Sequence, residues 1–186
     1  VKGVRIGIKL PDTVNIMIEE ESVVYAIKSS DGQWWMMDSD GRVVEQANNA
    51  KAATATQLLG VTLEAPAVNQ KGIATEMTPS ETNELGELIP VTTTGAQRLT
   101  AALQIFKALE SNDIVGEAAS VDVTSTEDII LWYGTRYQVN LGDTSRLDYK
   151  IDCMNDAILQ MSDYQSGVLD VSFTIWPNQV GYTPFA

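Results

Sequence analysis

The chain has 186 residues, of which 44% are apolar and 20% charged, and 25 acidic against 12 basic side chains give it a formal charge of −13. These values are ordinary for a folded domain, or for one with a small appendage, and they exclude a chain that is disordered throughout. A surface of that charge repels phosphate backbones and anionic lipid headgroups, because binding them depends on clustered lysine and arginine. The composition therefore argues against nucleic acid as a partner.

Histidine is missing from the sequence, and cysteine occurs once, at Cys153. This excludes histidine acid-base catalysis, Ser-His-Asp and Cys-His nucleophile systems, zinc sites built on cysteine and histidine, and an internal disulfide. Cys153 lies beside Met154 in a helical pattern and is predicted to be a buried, inert thiol. The segment 3–7 lacks the third glycine and the lysine of a phosphate-binding loop. We therefore expect no enzyme activity, no metal and no cofactor.

Two segments near the start alternate apolar and polar residues, which is typical of β-strands. They cover residues 4–9 and 14–19, and Leu10-Pro11-Asp12-Thr13 separates them. The pattern predicts a hairpin that packs on something else, because two strands alone are marginally stable in water.

Strands and turns are predicted to alternate in the next stretch. Residues 23–28 and 34–37 have strand patterns, and residues 29–32 have the composition of a turn. The acidic segment 38–41 is either a hairpin turn or a calcium loop. A calcium loop of the EF-hand type needs oxygen ligands at positions 1, 3 and 5 with glycine at 6, but here glycine follows the second aspartate directly. We therefore predict a turn.

The middle of the chain is less regular. Residues 46–57 are ambiguous between a loop and a short helix, whereas residues 58–63 are predicted to form a buried strand. Residues 65–90 contain several prolines and an acidic bias. A long irregular segment of this kind is typical of either a functional loop or a mobile surface loop.

Regular patterns return after residue 93. Thr94 is predicted to cap one helix, and a second helix is predicted to begin at Thr144 or Ser145. The apolar stripes, spaced by three and four residues, are Leu99, Ala102, Leu103, Phe106 and Leu109 in the first helix and Leu147, Ile151, Met154, Ile158 and Met161 in the second. Predicted strands cover residues 118–123, 129–133, 137–141 and 168–176.

This order of elements excludes a doubly wound sheet, because several strands follow one another between the two helices. The sequence predicts an α+β fold, namely a mostly antiparallel sheet with two helices packed on one face, plus the N-terminal β-hairpin. Trp34-Trp35, Trp132-Tyr133 and Trp176 leave a glycan platform open, although adjacent residues of a strand point to opposite faces. The many carboxylates likewise leave glycoside hydrolysis open, which needs two of them about 5 to 9.5 Å apart.

The order of motifs resembles the extracytoplasmic part of the bacterial division proteins FtsQ and DivIB. The Pro-Asp-Thr turn at 11–13, the acidic glycine turn at 38–41, Tyr137-Gln138-Val139-Asn140-Leu141-Gly142 and Leu169-Asp170-Val171-Ser172 carry the resemblance. Ser172-Phe173 departs from the arginine-aromatic pair of that family, and residues 46–95 match it poorly. The resemblance implies that residues 1–22 are the C-terminal hairpin of a truncated POTRA domain. It also implies that residues 23–186 are the β domain.

What the resemblance implies about function is a non-enzymatic scaffold of the bacterial divisome. Its partners would be FtsB/DivIC-like and FtsL-like coiled-coil proteins, and an upstream membrane helix would hold this domain on the outer side of the cytoplasmic membrane. The C-terminal strand would accept a partner strand at or near a sheet edge. The residues expected to bind the partner are Val168, Asp170, Ser172, Phe173, Thr174, Trp176 and Tyr164.

Three alternatives remain at the level of the sequence. The segment 168–175 would be a central core strand if the chain after it merely covers the sheet. An extracellular glycan-binding or carbohydrate-active domain is the alternative function. A secreted domain without a role in division is a third, and the residues that precede Val1 would distinguish it.

Overall fold

The computed structural model describes residues 3–9, 13–19, 25–76, 81–82, 88–89, 93–175 and 177–185. The first strands are β1 (Gly3–Lys9), β2 (Thr13–Glu19), β3 (Tyr25–Ser29), β4 (Trp34–Met37), β5 (Val43–Ala47) and β6 (Thr56–Leu63). Those that follow are β7 (Glu81–Thr82), β8 (Leu88–Ile89), β9 (Ala118–Asp122), β10 (Ile129–Tyr133), β11 (Tyr137–Gly142), β12 (Gly167–Asp170) and β13 (Gly181–Pro184). The helices in the described ranges are α1 (Asn49–Ala52), α2 (Gly95–Ser111) and α3 (Leu147–Leu159), with a 3-10 helix at Val115–Glu117. None of these helices is long and apolar enough to cross a lipid bilayer.

The predicted N-terminal hairpin is present as β1 and β2. Gly3 pairs with Glu19 and Lys9 with Thr13 in an antiparallel register, and the two strands form a sheet of their own. That this hairpin ends a POTRA domain, and that a domain boundary follows residue 22, stay predictions.

One nine-stranded sheet organises the rest of the fold, in the order β13-β12-β11-β10-β9-β6-β3-β4-β5. The pairs β3–β6, β6–β9 and β11–β12 are parallel, and the other neighbours are antiparallel. Parallel neighbours need a crossover connection. The helix α2 lies in the connection from β6 to β9, and α3 lies in the connection from β11 to β12. The α+β class and the mostly antiparallel sheet are confirmed.

The helices differ from the prediction in number. The ambiguous stretch 46–57 contains α1, whose Asn48 side chain accepts the N–H of Lys51 and so caps the first turn. Ala52 of α1 packs in a small cluster with Ala26 and Met36, separate from the larger core. The predicted packing of two helices on one face is not confirmed as stated, since the described residues form three helices.

The larger core receives the apolar stripes of α2 and α3. Of the residues predicted for them, Leu99, Ala102, Phe106, Leu109, Leu147, Ile151 and Met154 are buried, and Leu103, Ile158 and Met161 are half-buried against the same cluster. The ring of Tyr25 stacks on Phe106 with centroids 3.5 Å apart, and its hydroxyl donates to the Phe106 carbonyl at 3.0 Å. Burial and the neighbouring Glu110 carboxylate raise the pKa of Tyr25 well above its ordinary value, so the hydroxyl stays protonated.

The sequence predicted the cap of α2 correctly but placed the start of α3 too early. Thr94 accepts the N–H of Gln97, and the Gln97 side chain accepts the Thr94 N–H, so α2 begins with a capping box. The start predicted for α3 is wrong by two or three residues. The Asp143 carboxylate accepts the Ser145 N–H, and Arg146 adopts the left-handed region with φ 55°, so the helix begins only at Leu147.

The acidic segment 38–41 is a turn, as predicted. The Asp38 carboxylate accepts the N–H groups of Asp40 and Arg42 at 3.0 and 2.8 Å, and Gly41 donates back to the Asp38 carbonyl. This local pairing is how aspartate stabilises a turn.

Candidate functional site

The C-terminal strand that was predicted to accept a partner lies second from the sheet edge. Val168 pairs with Gln138 of β11 in parallel and with Thr183 of β13 antiparallel. Both rims of β12 are therefore occupied within the chain, and the edge itself is β13. The strand lies near a sheet edge, as expected, but it has no free rim, because β13, which was not predicted, pairs with it.

The strand is also shorter than predicted and ends at Asp170 rather than at residue 176. The Asp170 carboxylate accepts the Ser172 N–H at 2.9 Å and the Ser172 hydroxyl at 2.6 Å, which turns the backbone. Phe173 then adopts the left-handed region with φ 59°, which no strand residue occupies. An Asp-x-Ser sequence favours such a turn, so this ending was open to prediction.

The edge strand β13 depends on a close approach that only glycine permits. A Cβ atom on Gly167 would lie 2.2 Å from the carbonyl oxygen of Thr183. The Tyr182 ring is half-buried against the core and its hydroxyl donates to the Ser166 carbonyl at 3.1 Å. Gly167 therefore allows β13 to approach β12 closely, and Tyr182 helps to hold it there.

The free rim of β13 offers little backbone to another strand. The Phe185 N–H donates to the Ser166 carbonyl, and hydrogen-bonded and non-bonded pairs alternate along an antiparallel ladder. The backbone groups of Tyr182 and Pro184 therefore point away from β12. Pro184 has no N–H, so Tyr182 is left as the donor on the outer rim of β13.

A cation and two aromatic rings meet where α3 begins. The Arg146 guanidinium lies 4.4 Å from the Tyr149 ring centroid and 5.8 Å from that of Phe173, and the two rings are 5.5 Å apart. Arg146 also donates to the Asn178 side chain at 3.3 Å. The structure thus joins Phe173, a predicted site residue, to Arg146 and Tyr149, which the sequence did not single out.

Several large apolar side chains are exposed on α3 and in the segments that flank β12 and β13. We call Tyr149, Leu159, Tyr164, Ile175 and Phe185 the C-terminal apolar set, with exposures of 38%, 83%, 88%, 68% and 42%. The Phe185 ring also packs on Trp132, with centroids 6.1 Å apart. Single exposed apolar residues are common, whereas contiguous ones mark interaction surfaces. The five residues lie within one part of the chain, and Tyr149 and Leu159 lie near opposite ends of α3.

The predicted partner-binding residues have different environments. Tyr164 and Thr174 are exposed, and Val168, Asp170, Ser172 and Phe173 are half-buried. Trp176 lies outside the described residues. That these residues bind a partner stays a prediction. Leu159 and Phe185, which the structure shows as exposed, were not among them, because periodicity does not indicate exposure.

Lys150 of α3 forms an ion pair with Asp143, which lies in the loop that leads into the helix. Lys150 is 2% exposed, and its Nζ donates to the carbonyl and to the carboxylate of Asp143, both at 2.8 Å. The hydrogen bonds from Lys150 and then Ser145 lower the pKa of Asp143 to about 2. The pair fixes the loop that leads into α3, because it joins a buried cation to that loop.

The described residues give little support to the chemistry left open by the sequence. They contain no group of three or more histidine, cysteine, aspartate or glutamate residues placed to hold a metal ion. Cys153 is half-buried rather than buried. Trp34, Trp35 and Trp132 are each half-buried, and Lys28 lies over the Trp34 ring while Phe185 packs on the Trp132 ring.

The chain matches no protein-family model, and no curated protein matches it significantly. The likeness to FtsQ and DivIB therefore depends on the residues quoted above, and the function implied by it is a proposal.

Proposed function

We propose that this chain is a non-enzymatic scaffold of the bacterial division complex, held on the outer side of the cytoplasmic membrane by an upstream helix. Its partners are FtsB/DivIC-like and FtsL-like coiled-coil proteins. The observation that carries the proposal is the C-terminal apolar set, whose exposed members lie on α3 and in the segments that flank β12 and β13. Exposed apolar side chains promote aggregation of a domain that binds nothing, whereas they contribute to affinity in a domain that binds another protein.

The proposed mode of docking depends on the backbone groups that β13 and β12 would each present to a partner strand. A partner strand that added to β13 would find the Tyr182 N–H and then Pro184, so it would gain few backbone hydrogen bonds. A partner strand that took the place of β13 would gain the whole rim of β12, from Gly167 to Asp170. We therefore propose that the partner displaces β13 together with Phe185 and places apolar side chains against the remaining members of the C-terminal apolar set.

Arg146, Tyr149 and Phe173 are suited to anchor such a partner. Arginine and tyrosine are enriched among the residues that contribute most to the free energy of binding. Here the Arg146 guanidinium already packs on the Tyr149 ring, and that ring contacts the Phe173 ring. An anchor that is ordered before binding loses less conformational entropy on association.

A titration of the isotope-labelled chain with the cognate coiled-coil subunits tests this proposal. We expect shifts in the resonances of residues 167–170 and 181–185, together with Tyr164 and Ile175. Unchanged resonances in this region at saturating partner would overturn the proposal. Peptidoglycan fragments form a parallel arm, and binding of these fragments without the coiled-coil subunits would favour the alternative glycan function.

Two exposed isoleucines provide a matched pair of variants for the same assay. Ile175 and Ile73 are 68% and 66% exposed, but only Ile175 belongs to the C-terminal apolar set. We expect Ile175→Ser to weaken partner binding about 10-fold, which corresponds to about 1.4 kcal/mol. Ile73→Ser should leave it unchanged. Equal effects of the two substitutions on affinity would show that this surface does not bind the partner.

A further inference from the structure

A cavity of about 260 Å³ lies where β6 leaves the ladder of the sheet. Ile27 of β3 pairs with Leu58, but the next pair is Ser29 with Leu63, so the residues of β6 in between bulge away from β3. The cavity lies against this bulge, the first turns of α2 and Thr124. Bulges of this kind often occur beside binding sites, because they redirect side chains.

Gly60 holds the bulge in its shape. It has φ 84°, and a Cβ atom there would lie 2.3 Å from the backbone nitrogen of Thr124. Any other residue would combine a strained backbone with a clash, so the wall of the cavity is fixed by the backbone itself.

Arg98 on α2 lines this cavity and is only 5% exposed. One nitrogen, Nη1, donates to the Gly60 carbonyl at 3.1 Å, but Nε is buried and has no hydrogen-bond partner. No carboxylate of the described residues forms an ion pair with Arg98. A buried guanidinium is normally paired, so an unpaired one in a chain of charge −13 is conspicuous.

Further donors line the same cavity. The hydroxyl oxygens of Thr62 and Thr75 are buried without partners, and both residues line the cavity. Lys28 also lines it, but its Nζ lies over the Trp34 ring, 5.0 Å from the centroid. The lining residues include no aspartate or glutamate, and the carboxylates of Glu76 and Asp122 already accept the N–H groups of Gly95 and Thr124. Three groups with unmet hydrogen-bonding capacity, one of them on the charged Arg98, make the described wall complementary to a negative charge.

We propose that this cavity binds a carboxylate carried on a short apolar body. The carboxylate would accept hydrogen bonds from Arg98 and the two threonine hydroxyls, and the apolar body would contact Leu58, Leu59 and Val61. Arginine suits this role because its planar fork matches a carboxylate. The carboxylate belongs either to a free small acid or to an acidic side chain of a peptide. This inference is independent of the proposed division function, since the cavity involves neither β12 nor β13.

Isovalerate, a branched monocarboxylate, and isovaleramide, its neutral counterpart, are suitable probes at constant ionic strength. We expect isovalerate to shift the Arg98 Nε–H resonance and the amides of Gly60, Thr62 and Thr75, with saturation at a dissociation constant of about 1 mM or tighter. Isovaleramide should bind about 10-fold more weakly or not at all. Shifts that do not saturate, or equal binding of the amide, would overturn the proposal.

The dipeptide acetyl-Leu-Glu-amide separates the two sources of the carboxylate. Tighter binding than isovalerate would identify an acidic peptide as the natural ligand, and weaker binding would identify a free acid. Failure of both probes to bind removes the site.

Three variants connect the binding to the residues. Arg98→Met should abolish the saturable shifts, and Thr75→Val, which replaces one hydroxyl of the wall by a methyl group, should weaken isovalerate binding about threefold. Lys71→Met removes an exposed lysine that does not line the cavity, and it should bind isovalerate like the unaltered chain. An unchanged affinity in Arg98→Met, or in Thr75→Val where Arg98→Met does not fold, would contradict the assignment even if isovalerate binds.

Discussion

At the scale of single residues, the ion pair of Asp143 and Lys150 connects stability to pH. The folded-state pKa of Asp143 is lowered from 3.8 to about 2, so the pair stabilises the folded chain above pH 3.8 and loses this effect as the pH falls through about 2. The Asp143 side chain is 57% exposed, so solvent screening limits the contribution of the pair.

We expect Asp143→Asn to lower the free energy of unfolding by about 1 kcal/mol at neutral pH, because the buried Lys150 loses its counter-charge. The difference from the unaltered chain should shrink below pH 3.8 and vanish below about 2. Urea unfolding at several pH values measures it, with the exposed Asp152→Asn as control. A difference that stays constant down to pH 2 would contradict this account of the pair.

Gly167 is the residue on which the place of β13 depends. In Gly167→Ala the new Cβ would meet the Thr183 carbonyl at 2.2 Å, so β13 must move away. We expect a loss of about 1 to 3 kcal/mol in stability and faster amide exchange at Phe185. Gly116→Ala is the control, since a Cβ there would have nothing within 4 Å. Unchanged amide exchange in Gly167→Ala would show that β13 does not depend on this contact.

At the scale of elements, the cap of α2 is a direct test of the link from sequence to fold. Thr94→Ala removes the acceptor for the Gln97 N–H and should lower the free energy of unfolding by about 1 kcal/mol. Thr100 lies on the same helix in an exposed position, and Thr100→Ala should be neutral or slightly stabilising because alanine favours helix. Thermal unfolding of both variants measures the difference. Equal losses of stability would exclude the capping box as the cause.

The elements of the fold could be predicted wherever a periodic pattern or a cap marks them. The two longer helices, the hairpin at the start and the strands β9 to β11 follow from periodicity alone. Arg146 could not be predicted to delay α3, because a left-handed arginine depends on its contacts with Tyr149 and Phe173. The strand β13 was missed because four residues that include glycine and proline have no strand pattern, and pairing with β12 is what orders them.

The candidate site was predictable only in part for the same reason. Alternation within residues 168–176 indicates a strand but not its neighbours, so the sequence could not show which rim is free. Exposure of Leu159 depends on where α3 ends relative to the sheet, and a helical pattern does not contain that information. The sequence did not indicate that Arg98 is buried without an ion pair among the described residues, because arginine is usually a surface residue.

At the scale of the whole molecule, the nine-stranded sheet has two different edge strands. One edge is β5, and the other is β13, a four-residue strand that is followed by the exposed Phe185. A short edge strand that ends in proline limits edge-to-edge association with other chains. In the proposed function the cognate partner replaces this strand. Because β13 is short, few hydrogen bonds between β12 and β13 must break before the partner can bind.

The affinity of the cognate FtsB/DivIC-like segment for two forms of this chain tests that claim most directly. One form is the full chain, and the other ends after Gln179 and therefore lacks β13. We predict that the truncated form binds the segment about 10-fold more tightly, because the rim of β12 is already free. Weaker binding by the truncated form, or no binding by either form, would contradict the account.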